Sequence, residues 1–219
     1  MIRFYFNGSP NPTKVALFLE ETGLAYEPHP VDTRKGEQFA AEFTALNPNA
    51  KVPVIVDDGT VIFDSNAILL YLAEKTGQFL PQNRAETLSW LMFIATGIGP
   101  FSGQAVHFKH FAPEHVPYAH KRYQYEVDRH YKVIEARLAH QPYMVGDYSI
   151  IDMCLWGWAR MIPFILGDEA WARFPHVKRL VDEISARPAA IRAVALKDRF
   201  TFKSEMDASA RAVMFKHLG

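Results

Sequence analysis

The chain has 219 residues, 49% of them hydrophobic and 22% charged, and its 24 Lys and Arg residues equal its 24 Asp and Glu residues in number. This composition is typical of a soluble globular protein, and it gives no net charge that favours nucleic acid or a membrane surface. A single cysteine, Cys154, excludes an internal disulfide, and no apolar leader or membrane-spanning run is evident, so we expect a cytoplasmic protein.

The first 80 residues alternate strand patterns with helical patterns. Apolar and β-branched runs predict strands at Ile2–Phe6, Ala25–Val31, Val52–Val56 and Val61–Phe63, the last two joined by an Asp-Asp-Gly-Thr turn. Helical periodicity predicts helices from about Thr13 to Gly23, from Gly36 to Leu46 and from Asn66 to Thr76. The order β-α-β-α-β-β-α predicts a compact α/β domain with a mixed sheet over residues 1–80.

Strand patterns disappear after residues 81–83, which include Pro81 and are predicted to form a linker. Helical periodicity then predicts five helices, at Arg84–His110, Pro117–Gln141, Ile150–Phe164, Pro175–Ala186 and Ala189–Lys197. Residues 84–219 are therefore expected to form an all-α domain, a helical bundle. The tail from Thr201 is polar with one apolar cluster, and we expect it either to fray or to pack across a cleft.

The turn Ser9-Pro10-Asn11-Pro12 joins the first predicted strand to the first predicted helix. In a thioredoxin-type fold a reactive cysteine pair is expected at this place, but here the turn contains no sulfur. Pro12 suits the first turn of a helix, where a backbone N–H has no intrahelical partner. The donors that remain are the Ser9 hydroxyl and the backbone and side-chain amides of Asn11.

Two further steps of the chain each allow two interpretations. Val52-Pro53 precedes a predicted strand, although proline cannot donate to a strand ladder. Either that strand lies at a sheet edge, or the Val52-Pro53 bond is cis and turns the Val52 backbone towards a cleft. Asp64-Ser65 lies between a strand and a helix, where the Ser65 hydroxyl can cap the helix and the helix N-terminus can bind a ligand carboxylate. In the second case Asp64 suits an ammonium group beside that carboxylate.

Three other motifs are assigned structural roles or none. The sequence Ser149-Ile150-Ile151-Asp152 matches a capping box before an apolar helix. The glycines of Gly97–Gly103 follow a helical pattern rather than a strand, so we expect them to allow a bend or close helix packing rather than to bind a nucleotide. His107 and His110 lack an acidic or thiol partner at metal-ligand spacing, and we expect no metal site.

Taken in their order, these features resemble a cytosolic glutathione transferase over essentially the full chain, with a thioredoxin-like domain followed by a helical one. Within that family the chain is most similar to the bacterial Nu-type enzymes, on the segments SPNPTKVALFLEE, DTRKGEQF, NPNAKVP, DSNAILLYLAEKTG, GIGPFSGQAVHF and PYAHKRYQ. The resemblance implies glutathione as cosubstrate and reduction of small disulfides, with poor conjugation of standard electrophiles. It also implies a homodimer.

The resemblance assigns a site as well. It implies that Ser9 and Asn11 face the glutathione sulfur, without a catalytic tyrosine or cysteine. The residues that it implies around the rest of the tripeptide are Gln38, Lys51, the Val52 backbone, Asp64 and Ser65, and Arg122 would reach the ligand across a dimer interface. Ser9 departs from the threonine that is common in the group, but it keeps a hydroxyl.

The role implied for the turn is to lower the pKa of the glutathione thiol. An ordinary thiol has a pKa of about 8.5, and lowering it by about two units requires roughly 2.7 kcal/mol of preferential stabilisation of the thiolate. Because Pro12 lacks an N–H, Asn11 is expected to be the leading donor and Ser9 the second. The thiolate would then attack a disulfide. The alternatives are a transferase that conjugates electrophiles and a non-catalytic module that binds glutathione or a partner.

Overall fold

The structure is a computed structural model, and it describes residues 1–215 of the chain. Four strands are β1 (Ile2–Phe6), β2 (Tyr26–Pro30), β3 (Val54–Asp57) and β4 (Thr60–Phe63). The α-helices of the first 80 residues are α1 (Pro10–Thr22), α2 (Ala41–Leu46) and α3 (Ser65–Thr76). The later ones are α4 (Arg84–Phe93), α5 (Gly99–Val106), α6 (Pro117–Leu138), α7 (Ile150–Ala159), α8 (Ile162–Leu166), α9 (Pro175–Ser185), α10 (Pro188–Ala195) and α11 (Ala208–Met214).

The four strands form one mixed sheet in the order β2-β1-β3-β4. β1 is parallel to β2, whereas β3 is antiparallel to both β1 and β4. All four residues of β3 are buried, as expected for a strand with neighbours on both sides. The predicted α/β arrangement is confirmed. The Val52-Pro53 bond is cis, and the strand that follows it is central, so the edge-strand interpretation is wrong.

The chain divides into two compact units. The first comprises residues 1–72 together with the described part of the chain from residue 188 onward, and the second comprises residues 73–187. The predicted ranges 1–80 and 84–219 group the chain differently, because α10 packs against α1. Arg192 on α10 donates from Nε to Glu20 Oε2 at 2.6 Å and from Nη2 to the Glu20 carbonyl at 3.1 Å.

Helix α1 begins one turn earlier than the periodicity predicts. Its first residue is Pro10, and Ser9 precedes it in extended conformation. A proline is well suited to a first helical position because its fixed φ is already helical. The helix ends at Gly23, whose left-handed φ of 68° lets its N–H donate to the Leu19 carbonyl. The predicted glycine C-cap is therefore confirmed.

The helical unit contains the predicted capping box at the start of α7. The Asp152 carboxylate accepts the Ser149 N–H at 2.9 Å, and the Ser149 hydroxyl accepts the Ile151 N–H at 3.3 Å. Asp152 also accepts the Met144 N–H at 2.7 Å, so it fixes the loop before the helix. Burial raises the pKa of Asp152 to about 6, although the hydrogen bonds that its carboxylate accepts lower this pKa. The box therefore joins a loop to a helix as well as starting the helix.

The glycines after α4 have the packing role that their pattern predicts. Residues 94–98 and 107–111 are π-helical turns on either side of α5. A Cβ atom on Gly97 would lie 2.4 Å from His130 Cδ2, which is closer than real Cβ contacts come. His130 is itself buried between the rings of Phe93 and Phe101. Gly97 thus allows the imidazole of α6 to pack directly on the backbone.

None of the helices in the described residues is long and apolar enough to cross a membrane.

We expect Gly97→Ala to lower the free energy of unfolding by about 1–3 kcal/mol, because the added methyl group displaces a buried imidazole in a packed interior. Gly103→Ala is the matched control, since a Cβ there meets nothing closer than 3.7 Å. That substitution should be neutral or stabilising by up to about 1 kcal/mol, as usual for a helical glycine. Urea unfolding of both variants tests the pair, and equal effects at the two positions would contradict the packing role.

Candidate active site

Asn7 holds the turn between β1 and α1. Its Oδ1 accepts the Ser9 N–H at 3.0 Å and the Ser9 hydroxyl at 2.6 Å. Its Nδ2 donates to Thr33 Oγ1 at 3.2 Å, which ties the turn to the loop after β2. Gly8 passes close to Lys197, since a Cβ on Gly8 would lie 2.7 Å from Lys197 Cδ. The shape of this turn therefore depends on an asparagine and a glycine that precede the prolines.

The first turn of α1 contains few backbone donors. Pro10 and Pro12 have no N–H, and the Thr13 N–H is bonded to the Ser9 carbonyl at 3.2 Å. The Thr13 hydroxyl donates to the same carbonyl at 2.8 Å. Of residues 10–12, Asn11 is thus the one that has backbone and side-chain N–H groups. An anion bound at this helix terminus would be contacted by Asn11 rather than by a row of N–H groups.

The Ser9 hydroxyl does not cap α1. Ser9 occupies the N-cap position, but its side chain accepts no hydrogen bond from the helix and instead donates to Asn7. A serine hydroxyl has one proton, so Ser9 can donate to a ligand only by releasing Asn7. The Ser9 hydroxyl is therefore already engaged within the turn.

The loop after β2 is organised by a buried carboxylate. Asp32 accepts the Arg34 N–H at 3.1 Å and the Lys203 N–H at 2.7 Å, and Lys35 Nζ lies 3.4 Å from Asp32 Oδ2. Burial by itself raises the pKa of Asp32, but the hydrogen bonds from Lys203, Arg34 and Lys35 outweigh it and hold that pKa below its usual range. Arg34 Nη1 donates in turn to the carbonyls of Lys203, at 3.0 Å, and Ser204, at 2.5 Å.

The C-terminal segment, residues 196–215, is thereby held against β1 and the loop after β2, within the first unit. The rings of Phe200 and Phe202 both meet the Phe6 ring edge-on, with centroids at 5.5 Å and 6.0 Å. The described part of the tail thus packs on β1 and the loop after β2, and packing across a cleft stays a prediction. Residues 216–219 lie outside the described residues.

Gln38, which the resemblance assigns to glutathione binding, is buried in the same loop. Its Nε2 donates to the Thr33 carbonyl at 3.2 Å. Its Oε1 is buried and receives no hydrogen bond from any residue that the structure describes. An acceptor of this kind suits an N–H donor from a ligand.

Asn47 positions the next two assigned residues. Its side chain is buried, and its Nδ2 donates to the Lys51 carbonyl at 2.7 Å. Its Oδ1 accepts the Asn49 N–H at 3.0 Å. The buried Asn47 side chain therefore holds the loop that ends in the cis bond between Val52 and Pro53. The Lys51 side chain is exposed.

Asp64, rather than Ser65 as one interpretation predicts, caps helix α3. The cap of α3 is Asp64, whose Oδ1 accepts the N–H groups of Asn66 at 2.8 Å and Ala67 at 3.2 Å. Ser65 is the first helical residue and is buried, so the interpretation in which its hydroxyl caps the helix is wrong. Asp64 has a φ of 68°, which non-glycine residues rarely adopt and which often marks a functional site.

Arg122 lies on α6 in the second unit. Its Nη1 lies 2.6 Å from Oε1 of Glu126, a buried carboxylate that also binds Arg129 at 2.8 Å. The hydrogen bond from Arg129, with the charge of Arg122, keeps the pKa of Glu126 below its usual range, although burial opposes this. Glu126 thus fixes two half-exposed arginines, and the role of Arg122 across a dimer interface stays a prediction.

No motif in the sequence marks the residues that position the site. Asn7, Asp32 and Asn47 do not belong to any pattern that indicates a catalytic residue. The signal available for Asn7 is the Asn-x-Ser spacing, which allows the hydrogen bond between these two side chains. In residues 1–215 the structure contains no group of three or more His, Cys, Asp or Glu side chains able to hold a metal ion.

Comparison with protein families gives two matches. Residues 8–75 match the model of the glutathione S-transferase N-terminal domain, and residues 103–188 match that of the C-terminal domain. The first match contains the turn before α1 and the loops around Gln38, Lys51 and Asp64.

Two similar curated proteins are disulfide-bond oxidoreductases of Escherichia coli strain K12. YfcG is 44% identical over 207 residues, which cover 86% of this chain and 92% of YfcG. YghU is 37% identical over 210 residues, which cover 86% of this chain and 72% of YghU.

Two solved structures show the same fold with ligands bound. The glutathione transferase from Burkholderia graminis, with two glutathione molecules per subunit, matches with a TM-score of 0.85 and 39% identity, over 91% of this chain and 89% of its own. A Pseudomonas putida glutathione transferase, with one glutathione disulfide per subunit, matches with a TM-score of 0.82 and 35% identity, over 88% and 90%.

We expect Asp32→Asn to detach the C-terminal segment, because an amide nitrogen would replace one of the two oxygens that accept N–H groups. The lost charge-assisted hydrogen bonds should lower the free energy of unfolding by about 2–3 kcal/mol. Hydrogen exchange should become faster in residues 200–215. Asp198→Asn is the control, since Asp198 is exposed and pairs only with Lys197, and its effect should stay within about 0.5 kcal/mol.

The same carboxylate predicts a pH dependence. The pKa of Asp32 is lower in the folded chain than its unfolded value of about 3.9, so its stabilising contribution is present above that value and is lost as the pH falls through the folded pKa. Exchange in residues 200–215 of the unsubstituted protein should therefore accelerate below about pH 4, whereas Asp32→Asn should lack this acid-dependent step. Equal pH profiles would contradict the role of Asp32.

Proposed function

The chain belongs to the glutathione S-transferase family, and we propose that it is a cytoplasmic, homodimeric enzyme that uses glutathione to reduce disulfides. The observation that carries this proposal is the 44% identity to a disulfide-bond oxidoreductase across 92% of that relative. The turn at the start of α1 supports it, since it offers amide and hydroxyl groups and no thiol of its own. The reacting sulfur is therefore that of glutathione.

The roles that we propose follow the geometry of the first unit. Asn11 donates to the glutathione sulfur, and Ser9 assists after releasing Asn7. Asp64 and Ser65 bind the γ-glutamyl ammonium and carboxylate at the start of α3, where a helix N-terminus favours an anion. The remaining contacts to the tripeptide are made by Gln38, Lys51, the backbone of Val52 and, across the dimer interface, Arg122.

The reaction consists of two thiol–disulfide exchanges. The thiolate of glutathione attacks one sulfur of the substrate disulfide, forms a mixed disulfide and releases the other half of the substrate as a thiolate, which takes up a proton. A second glutathione thiolate then attacks the glutathione sulfur of the mixed disulfide and releases the second substrate thiol. Two glutathione molecules are oxidised to one glutathione disulfide, and one substrate disulfide is reduced to two thiols.

The contribution of the protein is to make the attacking thiolate available. At pH 7 an ordinary thiol with a pKa of about 8.5 is only a few per cent ionised. A charge-assisted hydrogen bond from Asn11 stabilises the ionised form, and the N-terminus of α1 adds a favourable dipole. The same thiolate is able to attack an electrophilic carbon, so conjugation is the second candidate activity of this site.

We expect Asn11→Ala to lower kcat for hydroxyethyl disulfide reduction by about 100-fold, the usual cost of removing one donor to a developing or bound anion. Glutathione affinity should change far less, because the tripeptide backbone contacts remain. Ser9→Ala is the comparison, and we expect a loss of less than about tenfold, since the Ser9 hydroxyl is already bonded to Asn7. Steady-state kinetics and glutathione titration of both variants measure the difference.

Two results would contradict the proposal. Fast conjugation of chlorodinitrobenzene that Ser9→Ala abolishes, with slow disulfide reduction, would identify a conjugating transferase. Glutathione binding without turnover of either substrate would identify a non-catalytic binding module.

We expect Arg122→Ala to raise the KM for glutathione about tenfold, the effect of losing one ion pair of about 1.4 kcal/mol to a ligand carboxylate. Arg129→Ala is the matched control, because both arginines are about half exposed, at 51% and 48%, and both pair with Glu126. A change of less than twofold is expected for the control. Equal effects of the two substitutions would show that only the shared network with Glu126 matters.

A further inference from the structure

Lys14 is a buried cation in the first unit. Its side chain is 1% exposed, and its Nζ donates to Asn66 Oδ1 at 2.7 Å. Among residues 1–215 no carboxylate forms an ion pair with it, and this neutral amide is its hydrogen-bond partner. Buried lysines are almost always paired with an acid, because an uncompensated buried charge is costly. The position of Lys14 therefore calls for an anion that residues 1–215 do not supply.

The location of Lys14 indicates where that anion binds. Lys14 follows Asn11 by three residues on α1, so the two side chains lie on the same face of the helix. Helical side chains lean towards the N-terminus, which carries the lysine stem over the turn that contains Asn11. Its partner Asn66 follows Ser65 in the first turn of α3. The ammonium group thus lies between two helix N-termini that both favour anions.

The other charged groups of the surrounding elements do not neutralise Lys14. The charged or titratable residues on α1, β1, the first turn of α3, α10 and the turn after it are Arg3, Tyr5, Glu20, Glu21, Asp64, Arg192, Lys197, Asp198 and Arg199. Glu20 pairs with Arg192 and Asp198 with Lys197. Asp64 accepts the N–H groups of Asn66 and Ala67 and, among the described residues, forms no ion pair with Lys14. Glu21 belongs to the last turn of α1, far along the helix from Asn11.

We propose that Lys14 supplies the buried positive charge that stabilises the thiolate of bound glutathione. This inference rests on the proposed function and deepens it. The prolines at residues 10 and 12 remove two N–H groups from the first turn of α1, and the charge of Lys14 compensates for the donors that this turn lacks. Lys14 does not contact the sulfur in this account and acts through the field of its ammonium group.

The size of the effect follows from electrostatics in a protein interior. At an effective dielectric constant of about 20, a unit charge within about 10 Å moves the pKa of another group by about one unit. Removing the charge should therefore raise the pKa of the bound thiol by about one unit. At a pH below that pKa the thiolate fraction, and with it kcat/KM, should fall about tenfold.

The test compares Lys14→Met with Lys14→Arg and the unsubstituted protein. Methionine keeps an unbranched side chain of similar size without the charge, and arginine keeps the charge. The thiol of bound glutathione is titrated by the ultraviolet absorbance of its thiolate, and kcat/KM for hydroxyethyl disulfide is measured across the same pH range. We expect Lys14→Met to shift both profiles upwards by about one pH unit, with kcat/KM recovering at high pH. Lys14→Arg should keep the profile of the unsubstituted protein.

Stability separates this role from a structural one. Replacing a buried charge that lacks a counter-ion with an apolar side chain is often neutral or stabilising, so Lys14→Met should unfold at an equal or higher urea concentration. A structural lysine would give the opposite result, a less stable variant with an unchanged thiol titration. That outcome would overturn the inference.

Binding of S-methylglutathione shows which part of the ligand Lys14 affects. This compound keeps both carboxylates but has no ionisable thiol, and we expect Lys14→Met to bind it within about twofold of the unsubstituted protein. A tenfold loss would assign the charge to a carboxylate and overturn the proposal for the thiolate. If the unsubstituted protein bound no glutathione, the proposed function would fail first. If the unsubstituted protein shows the expected thiol titration and Lys14→Met does not shift it, the role of Lys14 is rejected and the proposed function stands.

Discussion

A buried polar group needs a hydrogen-bond partner, and this requirement shapes the loops of the first unit around the candidate site. Asp32, Asn47 and Asn66 are all buried, and each bonds to a backbone or side-chain group of another segment or loop. Asn7 does the same between the turn before α1 and the loop after β2. None of these side chains is an obvious catalytic group. Together they hold the loops that contain the candidate residues.

The chemistry of the candidate site depends on which hydrogen-bond donors are present at the start of α1. Two prolines remove backbone donors from the start of α1, and Asn7 takes the proton of the Ser9 hydroxyl. Under the proposed function Asn11 donates to the sulfur anion, and Lys14 adds a charge that no carboxylate of the described residues neutralises. A turn that lacks the cysteines of a thioredoxin-type active site thus retains a way to stabilise a thiolate supplied by a ligand.

Local signals predicted much of this fold because they act over a few residues. The glycine that ends α1, the Ser149–Asp152 capping box and the packing role of Gly97 are all confirmed. The start of α1 and the cap of α3 were predicted less well. Pro10 and Asp64 occupy the positions expected for later residues, because proline is favoured at a first helical position and the Asp64 carboxylate accepts the N–H groups of Asn66 and Ala67.

The sequence by itself determined the α/β and helical organisation, the family and a list of candidate residues, because periodicity and short motifs carry that information. Only the tertiary structure decided that residues 196–215 pack on β1 and the loop after β2, that Asp32 holds them there, and that Lys14 is buried against Asn66. Lys203 and Asp32 are 171 residues apart, and Lys14 and Asn66 are 52 apart. Contacts across such separations arise from the packing of whole elements, and no local pattern in the chain specifies them.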